Sequence, residues 1–233
     1  MTYRERPAPP ALAPWLDCIW ERQGAGHPVR VLPDGCTDIV WIEGAGTRIV
    51  GVSATAYLFA LAPGSRVAGA RFRPGAGPAL LGTTGRALRD SWIPPEVLWP
   101  GQGERLAAGL EASTDKAGYL ARLVAELAHR ALLPDPLVQH AVRRLGGPGI
   151  RIASLAAELG VSERQFRRRV QTGVGYSPKR LARVLRLQRA LKLAVTADCL
   201  ATVAAEAGYA DQAHFASECR ALTGVAPSVL LSR

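Results

Sequence analysis

Arg164, Arg167, Arg168 and Arg169 crowd into one short stretch near the C-terminal end of a 233-residue chain. A guanidinium is a planar fork of donors that stays charged, and it pairs bidentately with a carboxylate, a phosphate or the O6/N7 edge of guanine. Gln165 and Gln171 are interleaved with them, and an amide side chain can pair in the same way with adenine. Consecutive arginines on a lone helix read equally well as a solvated face. The elements that carry them decide between these partners.

Those elements are duplicated. Ile152–Gly160 (IASLAAELG) is echoed by Leu200–Gly208 (LATVAAEAG), and each copy is followed by a polar residue, a Phe, a Gly and a Pro at matching distances: Phe166, Gly175, Pro178 and Phe215, Gly224, Pro227. In the first copy Ile152, Leu155, Ala156 and Leu159 recur at helical spacing, so one face is buried. Gly160 then supplies the left-handed residue that ends a helix. Ser162 is the expected N-cap of a second helix, with Gln165 completing a capping box and Val161 and Phe166 forming a hydrophobic staple. In the second copy Gly208 is the break, Asp211 the cap, and Phe215 and Cys219 the buried face. Helix, tight glycine turn and helix is the helix-turn-helix pattern.

Between the copies, Ser177 and Pro178 start a helix predicted to run to Ala194, with Leu181, Val184, Leu185, Gln188, Leu191 and Val195 inward and Arg183, Arg186, Arg189 and Lys192 toward solvent or phosphate. A rod of about 27 Å suits two reading heads one turn of B-DNA, about 34 Å, apart. Residues 137–231, and above all the segment Gly208–Leu230, resemble the AraC/XylS family of bacterial transcription regulators. The resemblance implies that Arg164, Arg167 and Arg168 face bases in the first module, and Gln212, Ala213 and Ser217 in the second. Ser217 and Cys219 depart from the family's habit, which favours an Arg and a large aromatic there. Ser162, Gln165, Gln171, Lys179, Arg180 and His214 complete the expected DNA-facing set. Double-stranded DNA is the implied partner, RNA polymerase a second, and a homodimer is compatible with the family.

The charge points the same way. The chain holds 29 Lys and Arg against 19 Asp and Glu. Residues 134–233 account for 15 of the basic and 7 of the acidic residues, a net of +8, and the first 133 residues carry only +2. That asymmetry is the footprint of a phosphate-binding segment. Pro134-Asp-Pro136 is the expected boundary between an input domain, 1–133, and a DNA-binding domain, 134–233. Met1–Pro14 holds no apolar stretch, no run of about 18 apolar residues occurs, and the four cysteines at 18, 36, 199 and 219 lack paired spacing; a reduced, cytoplasmic protein is expected. Phosphate-loop, nucleophile-elbow and HExxH patterns are missing, so no catalysis, cofactor or metal is expected.

The first 133 residues are read as a β-rich sandwich or barrel-like domain that ends in helices, which makes the whole chain α+β. Strand-like runs are Trp15–Glu21, Val29–Leu32, Thr37–Ile42, Arg48–Val52, Tyr57–Leu61 and Val67–Phe72, divided by turn residues. Asp34-Gly35 reads as a hairpin turn. Helical stretches follow at Ala79–Leu81, Gly85–Asp90, Gly103–Glu111 and Lys116–Leu132, the last with an apolar stripe available for core or for contact between domains or subunits.

The strings Leu32–Trp41 (LPDGCTDIVW) and Gly69–Gly75 (GARFRPG) resemble an N-terminal domain fused to AraC-type DNA-binding domains, which implies effector binding, dimerisation or both. Pockets are mostly apolar and aromatic with a few polar groups, so Trp41, Asp34, Asp38, Arg71, Arg73 and Cys36 are the effector candidates. The tryptophans read equally as core, and Arg71 and Arg73 as one face of a strand. Acidic neighbours of Cys36 should blunt its reactivity. Two alternatives stay open: a DNA-binding protein that responds to no ligand, and an alkyl-acceptor repair protein, for which residues 1–133 supply only two of the four cysteines needed.

Overall fold

Period-two alternation of apolar residues builds the N-terminal half. In the computed structural model, which describes residues 3–24, 26–197 and 199–231, the strands are β1 (Tyr3–Pro7), β2 (Leu16–Gln23), β3 (Val29–Val31), β4 (Thr37–Ile42), β5 (Gly46–Val50), β6 (Tyr57–Phe59), β7 (Arg66–Phe72) and β8 (Trp92–Ile93). Six of them form an antiparallel sheet in the order β1-β2-β7-β4-β5-β8, and β3 pairs with β6 in a separate ribbon. Ile19, Ile39, Trp41, Ile49, Ala68, Ala70 and Phe72 point to one side of the sheet. There they meet α3 (Gln102–Ala112) and α4 (Lys116–Ala128) through Leu106, Leu110, Leu120 and Val124. The apolar stripe of α4 is therefore core of this half. Each fully buried leucine of that layer contributes about 1.5–3 kcal/mol. Val40, Ile42, Val50 and Val67 point to the opposite side, toward Trp20 and toward Phe59 of the ribbon. Two short helices, α1 (Gly77–Leu80) and α2 (Gly85–Leu88), lie between β7 and β8.

The fold class is the expected α+β, with two local corrections. Tyr3–Pro7 adds an edge strand that the charged, proline-terminated sequence did not announce. Asp34-Gly35 does not close a hairpin, because β3 pairs with β6 and β4 with β5 and β7. Its turn, with Gly35 at φ +82°, carries the chain from the ribbon into the sheet.

Among the described residues, seven helices make the C-terminal half: α5 (Pro136–Leu145), α6 (Ile152–Glu158), α7 (Glu163–Val174), α8 (Pro178–Leu193), α9 (Leu200–Ala207), α10 (Gln212–Thr223) and α11 (Pro227–Leu231). The reciprocal capping box forms at α7: Gln165 N–H donates to Ser162 Oγ at 3.2 Å, and Ser162 N–H to Gln165 Oε1 at 3.0 Å. Asp211 caps α10 through His214 N–H at 2.7 Å. Phe166, Val170, Phe215, Cys219 and Leu222 are buried in one core with Leu181, Val184, Leu187 and Ala190 of α8. Of the expected stripe of α8, Leu181 and Val184 are in the core and Leu185 and Leu191 pack against it, while Leu187 and Ala190 are buried members that were not expected. The helix stops at Leu193, and Val195 beyond it is 66% exposed. At 16 residues α8 is about 24 Å long.

The halves are docked. Val52 joins the C-terminal core. Tyr176 Oη donates to the Ser53 carbonyl, Arg180 to the Ala54 carbonyl, and Gln188 Nε2 to the Pro33 carbonyl at 2.8 Å. The chain before β6 and the ribbon itself hold the end of α10: Ala56 N–H donates to the Leu222 carbonyl at 2.8 Å, and Arg30 to the Thr223 carbonyl at 2.8 Å. At the other module, α2 packs on the end of α7 so closely that a Cβ on Gly85 would lie 2.4 Å from the Gly175 nitrogen.

Candidate nucleic-acid interface and inner cavity

On α7 the buried face is set by Phe166, Val170 and Val174. At 100° per residue, Arg164, Arg167, Arg168 and Gln171 then fall within one outward arc of about 100°, and all four are exposed. Arg167 makes an i,i+4 pair with Glu163 at 3.2 Å, a solvated contact worth a few tenths of a kcal/mol that a phosphate can displace. Arg169 faces elsewhere and pairs with Asp135, which also caps α5 through Leu137 N–H at 2.9 Å. Burial alone would raise the Asp135 carboxyl, but the bonds from Arg169 and Leu137 outweigh it and hold it below the ordinary carboxylate range. The run Arg167–Arg169 thus divides into two outward arginines and one that anchors the module.

The second module presents another surface. Gln212, Ala213 and Ser217 are exposed on α10, and His214 is half-buried, its Nδ1 accepting from Ala210 N–H at 3.2 Å. Behind them Glu218 draws in two cations, Arg183 Nε at 2.9 Å and Arg186 at 3.4 Å, with His214 Nε2 3.9 Å away. Arg186 also lies 4.9 Å over the Tyr209 ring, and Arg189 Nε donates to the Glu206 carbonyl at 3.2 Å. Arg183 and Arg186 thus brace the second module, contrary to the expectation that they point to solvent or phosphate, whereas Arg189 is exposed as expected. Lys179 and Lys192 are exposed. Arg180 leaves the expected set, since its guanidinium is spent on the Ala54 carbonyl.

A cavity of about 430 Å³ lies between the sheet and the ribbon. Its floor is Trp20, which lies flat on β7: a Cβ on Gly69 would come within 2.4 Å of the indole. Tyr57 and Phe59 of the ribbon face it, and Trp92 closes one end, stacked on Phe59 at 5.4 Å and edge-on to Tyr57 at 5.9 Å. Asp38 accepts from Trp20 Nε1 at 2.8 Å. Arg71 sits among carboxylates, its Nε 3.4 Å from Asp38 and 3.7 Å from Asp34, and its NH1 3.6 Å from Glu5. These are ion-pair distances, longer than good hydrogen bonds. Burial, with Asp34 adding and Arg71 opposing, pushes the Asp38 carboxyl up to about 6. Burial works against the Arg71 charge too, but Asp38 and Asp34 outweigh it and raise its affinity for its proton. Gln188 of α8 reaches the same cavity.

Of the effector candidates, Asp34, Asp38 and Arg71 come together here. Trp41 does not: it is three residues from Asp38, so the period-two rule puts it on the opposite face, where its ring is covered by Lys116 at 4.1 Å. Arg73 does not either, because β7 ends at Phe72 and Arg73 turns away to the Ala13 carbonyl at 2.8 Å and Asp17 at 3.5 Å. Cys36 is half-buried beside the cavity, and burial, with Asp34 and Asp38 near, pushes its thiol well above the usual range. Trp20, Tyr57, Phe59, Trp92 and Gln188 were missed. Parity along β2 could have found Trp20, but the others depend on pairing between distant segments.

Among the described residues, no helix is long and apolar enough to cross a membrane. A family model described as a helix-turn-helix domain matches residues 155–233, and one described as a domain of unknown function, DUF6597, matches residues 4–94. A probable AraC family transcriptional regulator from Rhodopseudomonas palustris is 31% identical over 41% of this chain and 90% of its own, with a TM-score of 0.35. The DNA-binding domain of AdpA, a global transcriptional factor solved with a target DNA, is 25% identical over 41% of this chain and 86% of its own, with a TM-score of 0.37. A ToxT variant from Vibrio cholerae shares the fold along 97% of this chain and 98% of its own, at 12% identity and a TM-score of 0.50. No curated protein matches the chain significantly.

Proposed function

The chain belongs to the AraC family of DNA-binding transcription regulators, and we propose that α7 and α10 read successive major-groove segments while the N-terminal half gates that reading through a small effector. The observation that carries the DNA part is the outward arc of Arg164, Arg167, Arg168 and Gln171 on a capped helix, repeated in architecture by α10, which follows α8 in the chain. Arg164, Arg167 and Arg168 supply bidentate donors; Ser162 and Gln165 order the helix start; Gln212, Ala213 and Ser217 offer neutral, small-group contacts. Lys179 lies beside the first module for phosphate, and RNA polymerase and a second copy of the chain are the further partners of this reading. The input domain spans about 1–133 and the DNA-binding domain about 134–233, and the proposal contains no catalytic step.

The observation that supports an effector is the aromatic cavity whose ribbon wall also grips the end of α10 through Arg30 and whose rim includes Gln188 of α8. An occupant that shifts the ribbon therefore bears on the second module directly. In a mobility-shift assay with a mapped operator, Arg167→Ala and Arg168→Ala each weaken specific binding by about 1–3 kcal/mol. Equal weakening on every DNA sequence would reassign both to phosphate. No loss at all would overturn the assignment of α7 as a reading helix.

A further inference from the structure

The chemistry of the cavity goes one step beyond the effector reading, on which it rests. Glu5, Asp34 and Asp38 surround a single cation, Arg71, so that end of the cavity is acidic. The two other arginines of the lining do not reverse this. Arg30 sends its guanidinium out to the Thr223 carbonyl, and Arg22 lies toward the side shared with the next surface depression. Around the acidic end stand Tyr3, Trp20, Tyr57, Phe59 and Trp92. Aromatic faces with carboxylates behind them favour a positive charge, the more so when water is excluded. A carboxylate or phosphate ligand would instead meet Asp34 and Asp38 in the lining beside Arg71.

We propose that this cavity binds an organic cation, a substituted ammonium carrying a flat apolar body, with the charge beside Asp38 among the Tyr57, Phe59 and Trp92 rings and the body along Val40 and Val67. Asp38 is 13% exposed, so its carboxylate is poorly solvated, and an ammonium brought beside it replaces the missing water. Arg71 keeps Asp34 and Glu5 as counter-charges when the ligand draws on Asp38.

Intrinsic tryptophan fluorescence of the full chain reports occupancy, because Trp20 and Trp92 line the site. Three matched probes separate the classes: 4-phenylbutyl-trimethylammonium, 4-phenylbutanol and 5-phenylpentanoate. The ammonium binds about ten-fold more tightly than the alcohol, and Asp38→Asn removes most of that preference, read as the ratio of the two affinities in the variant. Should Asp38→Asn fail to fold, Trp92→Leu, at a ring 38% exposed at the cavity's end, weakens the ammonium by about three-fold or more against the alcohol. Tighter binding of the pentanoate, or equal binding of all three, overturns the cation assignment. If no probe binds but a small-molecule extract of the source cells shifts operator affinity of the wild type and not of a cavity-filled Val40→Trp variant, the class is wrong and the effector reading stands. If neither probes nor extract has any effect, both fall.

Discussion

The two helix-turn-helix modules share a scaffold and differ in charge. Both end their first helix at a left-handed glycine, Gly160 or Gly208, cap the second with Ser162 or Asp211, and bury a Phe in its first turn and a half. Yet α7 presents three arginines outward, whereas the matching positions of α10 hold Ala213, Ala216 and Ser217, with one arginine, Arg220, exposed where α7 has Gln171, and Glu218 draws Arg183 and Arg186 of α8 into the fold. Caps, turns and apolar spacing are fixed by the need to fold; the outward arc is not, so it is where the copies diverged. On the proposed reading the first module carries more of the attraction to DNA, while the end of the second is also held by the ribbon.

The largest test addresses what the copies share. Phe166 and Phe215 are both fully buried, so Phe166→Ala and Phe215→Ala should each cost about 3–5 kcal/mol in urea unfolding. A cost well below that in one module only would mean that its core is looser and that the scaffolds are not equivalent. The next test addresses what they do not share. Against losses of about 1–3 kcal/mol for Arg167→Ala and Arg168→Ala, Gln212→Ala and Ser217→Ala should each lose less than about 1 kcal/mol of operator affinity. A larger loss from Ser217 than from Arg167 would invert the division of labour.

Anchoring differs too. Asp135 and Arg169 tie α7 to the start of α5. The Asp135 carboxyl is held below its ordinary value, so the tie contributes stability above the unfolded carboxylate range and loses it as pH falls through the folded value. Asp135→Asn should therefore lower stability by about 1 kcal/mol at pH 7, the pair being partly solvent-screened, and the gap between variant and wild type should shrink as the pH falls through the folded value. A gap that does not change with pH would assign the loss to the cap on Leu137 alone.

What was legible in the sequence follows the range of the forces involved. The caps, the glycine stops and the buried stripe of Phe166 and Val170 are local, and each could be read from residues within one turn of one another. The strands of the sheet were legible as alternating runs, but their partners were not. Nothing near Val29–Val31 or Tyr57–Phe59 announces that these two strands pair with each other and wall a cavity against β2, β4 and β7. The placement of Asp38 with Trp20 and not Trp41 needed only strand parity. The end of β7 at Phe72, which separates Arg71 from Arg73, is set by the Arg73 bond to the Ala13 carbonyl, 60 residues away. The bracing of Arg183 and Arg186 by Glu218 likewise joins residues on two helices, so an exposed-looking arginine row on α8 concealed an internal role.

The smallest effect gives the sharpest version of the comparison. If charge on the outward arc is what separates the modules, restoring it to the second should move it toward the first. Ser217 is exposed and lies off the face set by Phe215, Cys219 and Leu222, so Ser217→Arg adds a cation without disturbing the core. Glu218 is already engaged by Arg183 and Arg186, which leaves the new guanidinium free to meet DNA. One added phosphate contact steepens the dependence of log affinity on log salt by about 0.9 and strengthens binding a few-fold at low salt. If the gain is the same on operator and on unrelated DNA, the new arginine meets phosphate; if it is confined to sites with a guanine opposite α10, it reads a base. An unchanged salt slope would mean that α10 does not face the duplex, and the two-headed reading would lose its second head.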